Sequence, residues 1–105
     1  KRPMMGEVAA RLADEAIVTS DNPRSEDAEA IAQEILLGMK QASPRVQVDR
    51  AAAITDAIRR AGAGDLVVIA GKGHETTQIF SDRTVHFDDR EVARAALAEL
   101  SAAGV

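Results

Sequence analysis

The segment DLVVIAGKGHE, residues 65–75, carries the clearest signal of fold class in this chain. Residues 66–70 are all apolar and stand between an aspartate and a glycine, which is typical of a strand covered on both faces of a parallel sheet. Residues 71–75 follow at once, and glycines there let the backbone approach a ligand closely. We therefore predict a buried strand over residues 65–70 that ends in a ligand-binding loop.

Helical periodicity on both sides of this segment predicts four helices. In each of them apolar residues recur every three or four positions, so that one face is apolar. They are a first helix through Met4, Val8 and Leu12, a second from Ser25 to near Lys40, a third from Arg50 to about Ala61, and a last from Asp88 to about Leu100. Ser25, Asp49 and Asp88 are the predicted N-caps, and Glu91 would complete a capping box with Asp88.

Short β-branched runs between the helices predict strands over residues 15–19 and 46–48 in addition to 65–70. Residues 76–80 and 85–87 flank a polar turn and form either a hairpin or one strand with an irregular approach. Strands that alternate with helices through short connections indicate an open, mainly parallel α/β sheet. In such sheets ligands bind beyond the carboxyl ends of the strands, which would bring residues 19–24 and 71–75 to one edge.

Composition limits the classes of function. A chain of 105 residues with 46% apolar and 29% charged residues predicts a single globular domain. Its net charge of -4 and its two aromatic residues, Phe80 and Phe87, argue against nucleic acid as a partner. No apolar run approaches the roughly 18 residues of a membrane span, and no cysteine is present. We therefore expect a cytoplasmic protein that binds no membrane.

The residues that follow the first strand are suited to an anion. Arg24 stands at the mouth of a helix after a turn formed by Asp21, Asn22 and Pro23, and its guanidinium can hold two oxygens of a carboxylate or phosphate. Asp21 or Asn22 could accept a hydrogen bond from an ammonium. The alternative is a proline turn in which Asp21 and Asn22 bond their own backbone and Arg24 is solvated.

The glycine-rich residues 71–75 have mixed charge. Lys72 is cationic and Glu75 anionic, which suits a zwitterion better than a polyphosphate, and the spacing of a Walker P-loop is absent. The alternative is a tight strand exit with exposed charges. His74 and His86 have no His, Glu or Asp at metal-ligand spacing, so we predict no metal site and no catalytic constellation in this chain.

Four motifs together resemble the Mur ligases that add meso-diaminopimelate to UDP-N-acetylmuramoyl-L-alanyl-D-glutamate. Residues 21–24 resemble the D-N-P-R element of these ligases and residues 71–75 their G-K-G-H-E element. Residues 1–6 and 87–90 also match in order and spacing, so the resemblance covers essentially the whole chain. It implies a three-layer, Rossmann-like C-terminal domain over residues 1–105, with the end of an interdomain linker at its start.

The resemblance also implies a site and a reaction. Asn22 and Arg24 would hold the distal carboxylate of diaminopimelate, Asp21 and Pro23 would shape the loop, and Gly71 and Glu75 would engage the remaining carboxylate and ammonium. An arginine that the family places in a G-G-D-R segment just before Lys1 is missing. ATP and magnesium would be bound mainly by a central domain and the UDP-sugar by an N-terminal domain, so this chain alone is expected to be inactive.

Two other classes of function remain open at this point. The first is a nucleotide- or phosphate-binding module, with residues 71–75 on phosphate and Arg24 as a second clamp. The second is a non-catalytic interaction domain without a small ligand. Relatives that add lysine lack an arginine at the position of Arg24, and lysine would leave its guanidinium unpaired, so we favour diaminopimelate.

Overall fold

A computed structural model describes residues 1–39 and 44–102. Its elements in chain order are α1 Arg2–Leu12, β1 Ile17–Val18, α2 Ala28–Leu36, β2 Arg45–Val46, α3 Arg50–Arg60, β3 Thr77–Ile79, β4 Thr84–His86 and α4 Asp89–Ala102. All four predicted helices are confirmed. The predicted end of the second helix near Lys40 lies outside the described residues. No helix in the described ranges is long and apolar enough to cross a membrane.

The helix starts agree with the sequence at α3 and differ at α2. Asp49 caps α3 and accepts a hydrogen bond from the backbone N–H of Ala52 at 3.2 Å, as predicted. The N-cap of α2 is Asp27 and not Ser25, and its carboxylate accepts from the Glu29 N–H. Ser25 lies in a turn closed by the Glu26 N–H and the Pro23 carbonyl, so the helix starts later than predicted.

Two sheets of two strands form within the described residues. β1 and β2 are parallel, with Ile17 opposite Arg45 and Val18 opposite Val46, which confirms the predicted parallel pairing of the first two strands. β3 and β4 are antiparallel, so the hairpin is the correct one of the two alternatives for this region. A parallel bridge between Arg24 and Phe80 joins the residues after β1 to the end of β3.

The buried strand predicted over residues 65–70 is wrong. In the described part of the chain this segment belongs to no strand ladder, and Leu66 and Val68 are 86% and 76% exposed. Ile69 does pack against the cluster of Ile54 and Ile58 between α3 and α4. An apolar run predicts burial on both faces only if elements cover both. Here α3 and α4 cover one side, and no described element covers the other.

Among the described residues, the core consists of two clusters. One joins α1, α2 and β1 around Val18, Ala32 and Met39, and the other lies between α3 and α4. α1 approaches α2 through Gly6, where a Cβ would collide with the carbonyl oxygen of Ile35. Met4, Val8 and Leu12, the apolar residues that predicted this helix, are exposed on its outer side. α1 therefore contacts the rest of the fold through this close approach and through Ala10, which packs against the first cluster, and not through the apolar stripe.

Asp88 precedes α4 and caps it, as predicted, but the capping box does not form. Its carboxylate accepts from the backbone N–H of Arg90 at 2.9 Å and from the Arg90 guanidinium at 2.9 and 3.0 Å. These bonds lower the pKa of Asp88 from 3.8 to about 2, and the hydrogen bonds from the guanidinium have the largest effect. The carboxylate of Glu91 contacts His86 Nε2 instead, at 2.9 Å.

A pH dependence of stability follows for Asp88. A pKa that is lower in the folded state stabilises the fold above the unfolded value of 3.8, and this contribution is lost as pH falls through about 2. Asp88→Asn should therefore be less stable than wild type at pH 7, and the difference should shrink as pH falls from 4 to 2. Urea unfolding of both chains across this range measures it, and a constant difference would contradict the assignment.

Candidate functional site

The two loops singled out in the sequence lie side by side. The Arg24 loop is residues 19–24 and the glycine loop is residues 71–75. Lys72 Nζ donates to Asp21 Oδ1 at 2.8 Å although 51 residues separate them, and Asn22 Nδ2 lies 3.4 Å from Glu75 Oε1. The predicted meeting of the loops at one edge is thus confirmed, even though the segment before the glycine loop is not a ladder strand.

Lys72 joins the loops from inside. Its side chain is 0% exposed, and besides Asp21 its ammonium donates to the Thr77 carbonyl at 2.7 Å and lies 3.4 Å from Asn22 Oδ1. The sequence predicts only that Lys72 contributes a positive charge to the glycine loop. In the structure its charge is neutralised by Asp21, so neither Lys72 nor that oxygen of Asp21 is available to a ligand in this arrangement.

Asn22 connects the Arg24 loop to the hairpin. Its Oδ1 accepts from the backbone N–H of Ile79 at 2.9 Å. Because that N–H can only donate, the amide oxygen must face it, and the NH₂ group must then face Glu75. Asn22 therefore keeps one N–H near Glu75 and has a second N–H that can serve a ligand.

The backbone at Arg24 is in an unusual conformation. Pro23 is buried, and Arg24 has a φ of 55°, in the left-handed region that residues other than glycine seldom adopt. The Arg24 N–H donates to the Ile79 carbonyl at 3.0 Å, which holds this conformation. Within residues 1–39 and 44–102 its exposed guanidinium makes no hydrogen bond or ion pair. Strained backbone of this kind clusters at functional sites.

Gly71 has a backbone conformation that favours glycine. Its φ is 116°, and a Cβ there would lie 3.6 Å from Asp21 Oδ2 and 4.0 Å from a guanidinium nitrogen of Arg50. Any other residue would be strained by this φ whatever the space around it. Gly71 thus lies at the start of the glycine loop, with its backbone close to the carboxylate that Lys72 holds.

Internal pairing leaves two charges exposed at this edge. Asp21 is paired with Lys72, and Arg50 beneath the loops is paired with Asp89. In the described ranges neither Arg24 nor Glu75 takes part in a salt bridge, although Glu75 lies near the Asn22 amide. A cation and an anion on neighbouring loops are complementary to a ligand that carries both a carboxylate and an ammonium.

Other parts of the surface offer less chemistry. A concavity of about 580 Å³ lies beside β2 and α3, and an apolar groove of about 380 Å³ lies between α3 and α4; neither is lined by the two loops. Among the described residues no group of three or more His, Asp or Glu side chains could hold a metal ion. The two loops therefore remain the best candidate site.

Arg50 is the residue of this region that the sequence reasoning missed. Its position in the sequence predicts only the first residue of a helix, but it is 3% exposed and donates to the carbonyl of Ser20 in the Arg24 loop and to that of Ala70, just before the glycine loop. A usable signal existed, because a cation in the first turn of a helix opposes the helix dipole. A cation at that position is better explained by a partner elsewhere in the fold.

Comparison with known proteins agrees with these observations. The family model of the Mur ligase, glutamate ligase domain matches residues 1–73, which include the whole Arg24 loop and the start of the glycine loop. The chain belongs to the Mur ligase family and corresponds to its C-terminal domain. The expected α/β fold of this domain type is thereby confirmed.

Several relatives have the same name, UDP-N-acetylmuramoyl-L-alanyl-D-glutamate–2,6-diaminopimelate ligase. The protein of Synechococcus elongatus is 59% identical over 98% of this chain and 21% of its own length. That of Gloeobacter violaceus is 55% identical over 99% of this chain and 22% of its own length. A solved structure of such a ligase superposes with a TM-score of 0.82 at 40% identity, covering 96% of this chain and 21% of that one. The chain thus spans about a fifth of the relatives that it matches.

Proposed function

We propose that this chain is the amino-acid-binding domain of an ATP-dependent ligase that adds meso-diaminopimelate to UDP-N-acetylmuramoyl-L-alanyl-D-glutamate. The domain occupies residues 1–105, begins with the end of a linker, and works with a UDP-binding and an ATP-binding domain of the same ligase. The observation that carries the proposal is the exposed pair Arg24 and Glu75 on adjoining loops. Because ATP and a UDP-linked precursor are cytoplasmic metabolites, we place the ligase in the cytoplasm.

The two loops bind different charged groups of the amino acid. Arg24, with the free N–H of Asn22, binds the distal carboxylate, because a guanidinium fork matches two carboxylate oxygens. Glu75 accepts from the ammonium, and the backbone at Gly71 lies close enough for the remaining carboxylate. Asp21 and Pro23 shape the loop, in keeping with the bond from Lys72 to Asp21 and the burial of Pro23.

The part of this domain in the reaction is orientation. In the family, ATP would supply, with release of ADP, the phosphoryl group that activates the D-glutamate carboxylate. The amine of the amino acid would then attack the acyl carbon and displace phosphate. As the resemblance to the family implies, we assign ATP and magnesium mainly to the central domain of the ligase. A grip on the distal end would hold the other amine towards the acyl group, and fixed orientation of this kind accelerates reactions strongly.

The same geometry makes a phosphate-binding module a weaker candidate. Lys72, the cation of the glycine loop, is buried against Asp21. Glu75 would face a bound phosphate next to that carboxylate, and like charges at short distance repel each other. A polyphosphate would therefore meet one exposed cation, Arg24, and the negative charge of Glu75. A zwitterion meets complementary charge from both.

The contribution of Glu75 can be tested in the complete ligase. Glu75→Gln removes the charge that faces the ammonium but keeps the shape of the side chain. Hydrogen bonds to charged groups contribute about 1.5–3 kcal/mol, and glutamine keeps part of that, so KM for diaminopimelate should rise roughly tenfold. KM for ATP should change little. Steady-state kinetics with each substrate varied in turn provides both values.

Glu29→Gln is a suitable control, since Glu29 is an exposed glutamate in the first turn of α2. It should leave both constants near the wild-type values. If Glu75→Gln changed the requirements for ATP and diaminopimelate by the same factor, Glu75 would be supporting the fold and not binding the amino acid.

A further inference from the structure

Arg50 lies directly beneath both loops. Its Nη1 donates to the carbonyl of Ser20 at 3.0 Å, and its Nη2 donates to the carbonyl of Ala70 at 3.2 Å. Ser20 comes immediately before Asp21, and Ala70 immediately before Gly71. One guanidinium thus bonds the backbone at the base of the Arg24 loop and at the base of the glycine loop.

Asp89, the first residue of α4, holds this guanidinium from the other side. Its two carboxylate oxygens accept from Nε at 2.8 Å and from Nη2 at 2.7 Å, and the two side chains are 2% and 10% exposed. The hydrogen bond with Asp89 is the main reason why the pKa of Arg50 is raised. The bidentate pair fixes the plane of the guanidinium and hence the directions of its remaining N–H bonds.

A planar group bonded to both loop bases sets the distance between them. Ser20 is further braced, because its hydroxyl donates to the Val48 carbonyl and accepts from Gln78 Nε2 at 2.9 Å. On the ligand side, Lys72 ties the glycine loop to Asp21. The relative placement of Arg24 and Glu75 therefore depends on contacts that neither residue makes itself.

We infer that Arg50, oriented by Asp89, is a positioning residue that sets the spacing of Arg24 and Glu75 and so helps the site to distinguish a diamino acid with two carboxylates from lysine. The inference rests on the proposed function. Arg50 touches no substrate in this account and acts through the Ser20 and Ala70 carbonyls. A lysine at position 50 would keep the charge but could not span Asp89 and both carbonyls in one plane.

The test compares Arg50→Lys with Arg59→Lys in the complete ligase. Arg59 lies on the same helix and also pairs with α4, through Glu99 at 2.8 Å, but this exposed pair is remote from the loops. The quantity measured is the ratio of kcat/KM for meso-diaminopimelate to that for lysine. Arg50→Lys should lower this ratio about tenfold with KM for ATP nearly constant. Arg59→Lys should leave the ratio unchanged.

A merely structural role would give a different result. If Arg50→Lys lowered kcat/KM for both amino acids by one factor, the inference would be overturned. Combination with Arg24→Ala sharpens the distinction: a residue that acts by placing Arg24 should have little further effect on the ratio once Arg24 is gone. Effects that simply multiply would also overturn it.

Two further measurements keep the test decisive. Asp89→Asn leaves Arg50 in place and should also lower the ratio of kcat/KM for meso-diaminopimelate to that for lysine, but by less than Arg50→Lys does. This variant can be measured even if Arg50→Lys proves unstable. Hydrogen–deuterium exchange of the ligase without ligand should be faster in residues 20–24 and 70–75 of Arg50→Lys than in the same residues of wild type. Exchange in α2 should be the same in both proteins. If Arg24→Ala left the ratio unchanged, the proposed function would fail. Hydrogen–deuterium exchange alone would then decide whether Arg50 orders the two loops. Exchange equal to that of wild type would refute this role of Arg50.

Discussion

Replacement of Arg24 by alanine is expected to lower kcat/KM for meso-diaminopimelate about 10- to 150-fold in the complete ligase and to leave that for lysine nearly unchanged. The estimate follows from about 1.5–3 kcal/mol for a hydrogen bond between charged partners. Lysine has no distal carboxylate and gains nothing from the guanidinium. The preference for meso-diaminopimelate over lysine should therefore decrease because diaminopimelate binds less well, and not because lysine binds better.

Arg24→Lys should restore only part of the loss, because an ammonium keeps the charge but not the two-pronged geometry. Arg83→Ala is a matched control. Arg83 is another exposed arginine close to the hairpin, where it stacks 4.4 Å from the Phe80 ring and pairs with Asp82. It should change neither amino acid's kcat/KM. A loss of one common factor for both amino acids in Arg24→Ala would mean that Arg24 holds the loop and does not read the substrate.

Lys72→Met is expected to destabilise the chain of residues 1–105 by about 2 kcal/mol. The change leaves the Thr77 carbonyl and one Asp21 oxygen without the ammonium that binds them at 2.7 and 2.8 Å. The decrease in the free energy of unfolding should be small for a buried ion pair, because Asp21 is 42% exposed and water can replace part of its bond to Lys72. Urea unfolding at pH 7 measures the difference.

The same substitution should also weaken diaminopimelate binding, because Lys72 is the direct tie between the loops. Lys1→Met, which changes an exposed lysine, should alter stability by less than about 0.5 kcal/mol. If Lys72→Met were as stable as Lys1→Met, the buried contact of Lys72 with Asp21 would have no energetic importance.

Local signals account for most of what the sequence predicted correctly. The cap at Asp49 and the apolar spacing of Ile54 and Ile58 lie within a few residues of each other, and α3 forms where they indicate. The N-cap of α2 is Asp27 and not Ser25, because Ser25 lies in the turn from Pro23 to Glu26. The same turn contains Arg24, which is bridged to the distant Phe80. Contacts across the fold decide such boundaries, and the sequence pattern does not contain them.

The same limit explains the larger errors. Residues 65–70 are apolar enough for a central strand, but whether both faces are covered depends on elements elsewhere in the fold. The meeting of the two loops was predicted from the ends of parallel strands. It occurs although residues 65–70 belong to no strand ladder, and Lys72, which binds Asp21, joins the loops. The partners of Arg50 and Lys72 were not predictable, because Asp89 and Asp21 are 39 and 51 residues away along the chain. Spacing along the chain gives no indication of pairs at that separation.

The central claim is that Arg24 and Glu75 form one binding site, in which Arg24 binds a carboxylate and Glu75 an ammonium of the same amino acid. The most direct measurement is a titration of isotope-labelled chain with meso-diaminopimelate, followed through the backbone amide signals. The account predicts saturable shifts of Asn22 and Arg24 together with Gly71 and Glu75, and at least roughly tenfold weaker binding of lysine. Saturable shifts confined to the groove between α3 and α4, or equal affinity for lysine, would contradict it.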